Sequence, residues 1–125
     1  MRYLKNRAFQ RSLKDHNLND DDIKEILDNI FKGRAIALGN KIYKIRVSAE
    51  GRGKSGGFRT IFFWKKDELI IFCFLYSKNV QEGLNFNAQK TLAVWSKEYE
   101  ELTAKDIEEA KIKDTFWEIE YEKEC

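Results

Sequence analysis

Between Tyr43 and Arg59 the chain places five cations (Lys44, Arg46, Arg52, Lys54 and Arg59) and four glycines (Gly51, Gly53, Gly56 and Gly57) in seventeen residues, with Glu50 as the only acid. Guanidinium and ammonium groups at this density suit phosphate oxygens, and the glycines let a backbone turn sharply and approach a ligand closely. Cations from adjacent strands and the glycine loop that converge on one concave sheet face would grip an RNA backbone. Phe, Tyr or Trp beside such a face would stack bases, which with backbone charge is how single-stranded RNA is held.

The string GRGKS within this segment suggests a nucleotide-binding phosphate loop, but two requirements fail. That motif needs a glycine five places before the Gly-Lys pair, where this chain has Ser48, and it must open a helix. GRGKS leads instead into GGFRTIFFW, a β-rich run, so no helix N-terminus is available for the phosphates. ATPase or GTPase chemistry is set aside on that ground.

Charge is distributed unevenly along the chain. Residues 1–66 hold 16 Lys and Arg against 7 Asp and Glu, whereas residues 67–125 hold 7 against 14. The basic half points to a polyanionic partner, and the acidic half limits nonspecific adhesion to nucleic acid. At 125 residues, 42% hydrophobic and 14% aromatic, the chain is expected to be one domain, 1–125, with a real core. It has no apolar run near the roughly 18 residues of a membrane span and no charged-then-apolar leader at Met1, so a cytoplasmic protein without membrane contact is expected. Cys73 lies in an apolar run and reads as a core residue, Cys125 ends the chain, and His16 has no second His or Cys nearby. Neither a disulfide framework nor a metal or other cofactor is expected.

Several elements must position the cations. A short strand over Arg2 to Lys5 precedes a basic helix from about Asn6 to Asp15 with Phe9 and Leu13 inward. Asn19 caps a second helix whose stripe is Ile23, Ile26, Leu27, Ile30 and Phe31, with Gly33 as its stop. After a loop, AIALGN, come strands over Lys41 to Ser48, Gly57 to Trp64 and Leu69 to Tyr76, the last two as an antiparallel hairpin. Alternation points Tyr43, Ile45 and Val47 to one face and Lys44 with Arg46 to the other, and puts Arg59 with Ile61 and Phe63. LIIFCFLY is apolar on both faces and suits a central strand. A helix carrying Ala88, Leu92, Trp95 and Tyr99 follows, then a short helix capped by Thr103. A last strand is expected with Trp117, Ile119 and Tyr121 opposed to Glu118, Glu120 and Glu122.

The order YKIRV, glycine-basic loop, GGFRTIFF, apolar strand, YSKN resembles the RelE/HigB superfamily of bacterial toxins, and most of all a RelE-type subgroup with a GKSGGYR signature. The similarity runs from MRYLKN to TFWEIEYE. It implies an α+β, RelE-like microbial RNase fold: a mainly antiparallel twisted sheet with N-terminal helices packed on it, a C-terminal helical segment and a final strand. It also implies a small cytoplasmic RNase that cuts messenger RNA on the ribosome and is held inactive by a cognate antitoxin, often of helix-turn-helix type.

The family's catalytic positions fall on Lys44, Arg46, Arg59 and Lys78, while Arg52, Lys54, Ser55 and Asn79 would hold RNA. Asn79 stands where many relatives have arginine, and the family's late tyrosine falls at about Asn85. Attack by a 2′-hydroxyl needs a proton acceptor, a proton donor and positive charge for the phosphorane. Lys44 is the candidate base, with like-charged neighbours favouring its neutral amine, and Arg46 and Arg59 the candidate stabilisers. Tyr76, Tyr99 and Tyr121 are candidate donors. The alternatives are a ParE-like gyrase-inhibiting toxin and a noncatalytic RNA-binding domain.

Overall fold

In a computed structural model of the protein, residues 1–47, 57–77 and 85–122 are described. Strand β1 (Arg2–Asn6) runs directly into helix α1 (Arg7–Asp15), because Asn6 both ends the strand and caps the helix. Its side-chain oxygen accepts from the Phe9 N–H at 2.9 Å, and its amide nitrogen donates to the Tyr99 hydroxyl at 3.2 Å. Helix α2 (Asp20–Phe31) begins in a reciprocal capping box between Asn19 and Asp22, with three aspartates in its first turn at the positive end of the helix dipole. Gly33, at φ +81°, takes the left-handed conformation that follows the helix end.

Strands β2 (Ile36–Gly39), β3 (Ile42–Val47), β4 (Phe58–Lys65) and β5 (Leu69–Ser77) come next, then helices α3 (Phe86–Glu100) and α4 (Ala104–Ile112) and strand β6 (Phe116–Glu118). The sheet order is β2-β3-β4-β5-β1-β6; β1 and β5 are parallel, and every other pair is antiparallel. This is the α+β architecture expected from the sequence. β5, the run without alternation, is interior and buried on both sides, paired to β4 and β1.

Each face of the sheet has its own core. On one side α1 and α2 contribute Phe9, Leu13, Ile23 and Ile26 against Ile45, Phe62 and Phe72. On the other, Leu92 and Tyr99 of α3 and Ile107 of α4 pack on Leu4, Phe63 and Ile71. Phe9, Phe62, Phe63 and Phe72 are all fully buried, each removing a large apolar area from water, worth about 1.5–3 kcal/mol apiece.

Two expectations are corrected. AIALGN is not a loop: Ile36–Gly39 forms edge strand β2, whose four residues are all exposed and which pairs only with β3. An edge strand this short, packed on neither core, shows no alternation of polar and apolar residues. The final strand is also shorter than expected, ending at Glu118. Beyond it, the Ile119 N–H donates to the Tyr3 carbonyl at 2.8 Å, Ile119 is buried beside the α1/α2 core, and the Tyr121 hydroxyl donates to Asp28 at 2.6 Å. Packing of these apolar side chains on α2 ends the strand.

Nor does Glu118 point free into solvent. Arg2 grips both its oxygens at 2.8 Å, and Lys111 reaches it at 2.8 Å, tying β1, α4 and β6 together. These partners, Arg2 first, hold the Glu118 carboxyl at about 2. A depressed carboxylate stabilises the fold above its unfolded value and loses that contribution as pH falls through the folded one. Glu118→Gln is therefore expected to be less stable than wild type at neutral pH and to lose less stability between pH 4.5 and about 2, as read by urea denaturation across that range.

Candidate active site on the open sheet face

The register of β3, β4 and β5 lays out the sheet face beneath α3 in rows. Ile42, Phe63 and Ile71 form the first, Lys44, Ile61 and Phe74 the second, and Arg46, Arg59 and Tyr76 the third. Tyr99 of α3 covers the first row, with its ring 5.7 Å from that of Phe63, and Trp95 covers Phe74 at 5.2 Å. In the third row Arg46 is exposed and Arg59 and Tyr76 are half-buried. The face thus changes from apolar and helix-covered to cationic and open within three rows.

Lys44, Arg46 and Arg59 share this face, as their alternation predicts. Lys44 and Arg46 are two residues apart on one strand, about 7 Å along it, and Arg46 lies directly opposite Arg59. None of the three makes a hydrogen bond or ion pair with another described residue. Other cations of the chain do: Arg2 with Glu118 and Glu108, Lys5 with Asp20, Lys41 with Glu100, Lys65 with Glu68. Two guanidiniums and an ammonium gathered on an open surface, with no carboxylate bonded to them among the described residues, are arranged to receive an anion. Lys78, Asn79, Arg52, Lys54 and Ser55 lie outside the described residues.

The three candidate tyrosines separate cleanly. Tyr99 is buried with its hydroxyl bonded to Asn6, and burial pushes its titration far above the ordinary tyrosine range. Tyr121 belongs to the opposite core, stacked on Phe31 and bonded to Asp28. Only Tyr76 of these stands on the cationic face. Asn85, at the family's tyrosine position, caps α3 by accepting from the Ala88 N–H at 2.8 Å.

Tyr76 arrives there through a β-bulge that sequence reading did not find. Ile61 is opposite Phe74 but Phe62 is opposite Phe72, so Cys73 is an extra residue on β5. Cys73 and Phe74 therefore both face α3, and the phase of the strand reverses beyond them: Leu75 joins the α1/α2 core and Tyr76 joins Arg59. Strict alternation from Ile71 would have put Leu75 beside Arg59. Because LIIFCFLY is apolar at every position, no polar residue marks where the phase changes. Cys73 itself is fully buried, and burial pushes its thiol well above the usual range, away from reactivity.

The family described as "RelE toxin of RelE / RelB toxin-antitoxin system" matches residues 1–119, a span that includes every strand of the sheet and all four helices. The chain belongs to the RelE toxin family. It is accordingly a toxin of a toxin–antitoxin pair, with a cognate antitoxin as its partner. Among the described residues no helix is long and apolar enough to cross a membrane.

Like charges directly opposite on neighbouring strands destabilise a sheet. Arg46→Gln is expected to raise the stability of this RelE-family toxin by about 0.5 kcal/mol in urea denaturation at low ionic strength. Most of that gain should vanish at about 0.5 M salt, where charges this exposed are screened.

Proposed function

We propose that this toxin is a metal-independent endoribonuclease that cuts messenger RNA on the ribosome. The observation that supports the reading is the row of Arg46 and Arg59 beside Lys44, open and, among the described residues, without carboxylate partners, in a chain of the RelE toxin family. In the reaction, a ribose 2′-oxygen attacks the adjacent phosphorus as Lys44 takes the hydroxyl proton. Arg46 and Arg59 hold the non-bridging oxygens as negative charge grows on them. The bond to the 5′-oxygen breaks, that oxygen takes up a proton, and the products are a 2′,3′-cyclic phosphate and a 5′-hydroxyl end.

Lys78 stabilises the leaving oxygen in this scheme, and Arg52, Lys54, Ser55 and Asn79 hold the flanking RNA. The setting is the cytoplasm, where ribosomes and message meet. The antitoxin, of helix-turn-helix type, keeps the enzyme silent until it is removed.

Brief expression in a cell-free translation reaction, with messenger RNA ends mapped by primer extension, tests the proposal. Wild type is expected to cut at fixed places within codons, and Arg59→Ala to cut about a hundredfold to a thousandfold more slowly. Lys44→Ala is expected to lose cleavage while still binding programmed ribosomes. Intact message in that reaction, together with growth arrest when the toxin is expressed in cells, would instead indicate a protein target such as gyrase.

A further inference from the structure

Among the described residues, four features outside the cations already assigned invite chemistry or docking. The Lys5–Asp20 pair between β1 and the start of α2 is already satisfied, at 2.9 Å. The Arg2–Glu118–Lys111 network is a structural tie between β1, β6 and α4. Edge strand β2 exposes Ile36 and Leu38, but nothing on that surface selects an occupant. Tyr76 is different, because its neighbours define what would lie on it.

We propose that Tyr76 is the nucleobase platform of the active face, stacking an RNA base whose phosphate rests on Arg46 and Arg59. The inference depends on the RNase reading above and names how that site holds its substrate. Tyr76 lies directly across the strand pair from Arg59, where Cβ atoms are about 5 Å apart, and Arg59 lies directly across from Arg46. A phosphate on the two guanidiniums therefore has a ring within one nucleotide's reach. The ring is fixed from behind: it packs against the α3 core, with Phe74 two residues earlier held at 5.2 Å by Trp95. Its hydroxyl makes no hydrogen bond to another described residue. A stacking platform needs a ring supported from behind, and Tyr76 is half-buried, with part of its surface still open to solvent.

The bulge strengthens this assignment. An extra residue interrupts the ladder between two strands that are otherwise paired along their length. Its consequence is to bring an aromatic ring, in place of Leu75, to the row of Arg46 and Arg59. Asn85, about where the resemblance puts the family's late tyrosine, is occupied as a helix cap.

The test uses ribosomes programmed with a message whose decoding-site codon carries 2-aminopurine and is 2′-O-methylated against cleavage. Stacking on a ring changes 2-aminopurine fluorescence. Full-length wild type should give a saturable change. Tyr76→Leu, which keeps apolar packing but has no ring, should lose it and bind about tenfold to a hundredfold more weakly. Tyr76→Phe should restore both, with cleavage of unmodified message. Matching urea midpoints would establish that each variant is folded. If Tyr76→Leu gives the wild-type signal and affinity while Arg59→Ala binds poorly, the platform is overturned and the RNase reading stands. If Tyr76→Phe binds normally but loses cleavage, the hydroxyl is a proton donor and the platform is again overturned. If wild type binds the programmed ribosome without a fluorescence change, the platform alone is overturned; if wild type neither binds it nor cuts unmodified message, the RNA reading fails and the platform with it.

Discussion

The hydrogen-bonded register between β4 and β5, with Cys73 inserted as one extra residue, is the constraint on which the open face depends. A strand's side chains alternate, so a single inserted residue exchanges the two faces for everything beyond it. Before the bulge, β5 sends Ile71 and Cys73 towards α3 and Ile70 and Phe72 towards α1 and α2; after it, Phe74 and Tyr76 face α3 and Leu75 faces α1 and α2. The strand is buried from Leu69 to Cys73, because both its neighbours and both covering layers are apolar there, and is half-buried at Phe74, Tyr76 and Ser77. Only the end of the strand, past the reach of Trp95, gains a new neighbour of different chemistry.

The covering helices decide which part of the sheet is open. α1 and α2 seal one face. On the other, Tyr99 and Trp95 of α3 pack over Phe63 and Phe74, while the row of Arg46, Arg59 and Tyr76 is partly open to solvent. The position of α3 is in turn set by Asn6, which joins the start of α1 to the Tyr99 hydroxyl across the sheet, and by the Ser96 hydroxyl, which donates to the Asn40 carbonyl at 2.6 Å. These are single polar links between layers that apolar burial alone would leave free to slide.

The open row runs against the usual economy of a stable surface. Elsewhere several cations are matched with carboxylates, as in Arg2 with Glu118 and Lys41 with Glu100. At Arg46 and Arg59 the pairing is like with like, in direct register. Repulsion there is tolerated because the strands beneath are anchored by Ile45 and Phe58, both buried on the reverse side. A rigid apolar sheet thus holds positive charges closer than they would sit on a flexible loop, which suits stabilisation of charge that forms only during a reaction.

Much of this was legible in the residues themselves. The period-two alternation of YKIRV placed Lys44 and Arg46 together because one face of that strand had to be buried, and Asn19 with its three following aspartates marked the start of α2. The sequence by itself determined every element but β2, the two-sided burial of β5 and the identity of the cations, since each follows from local pattern and from which side chains must leave water. Three things belonged to tertiary structure: the pairing of AIALG as an edge strand, the departure of the tail after Glu118, and the phase reversal that carries Tyr76 to Arg59. Each depends on contacts between segments distant in the chain. In LIIFCFLY, where every residue is apolar, alternation carries no information, so the choice of face passes to the partner strand and to the helices that cover it.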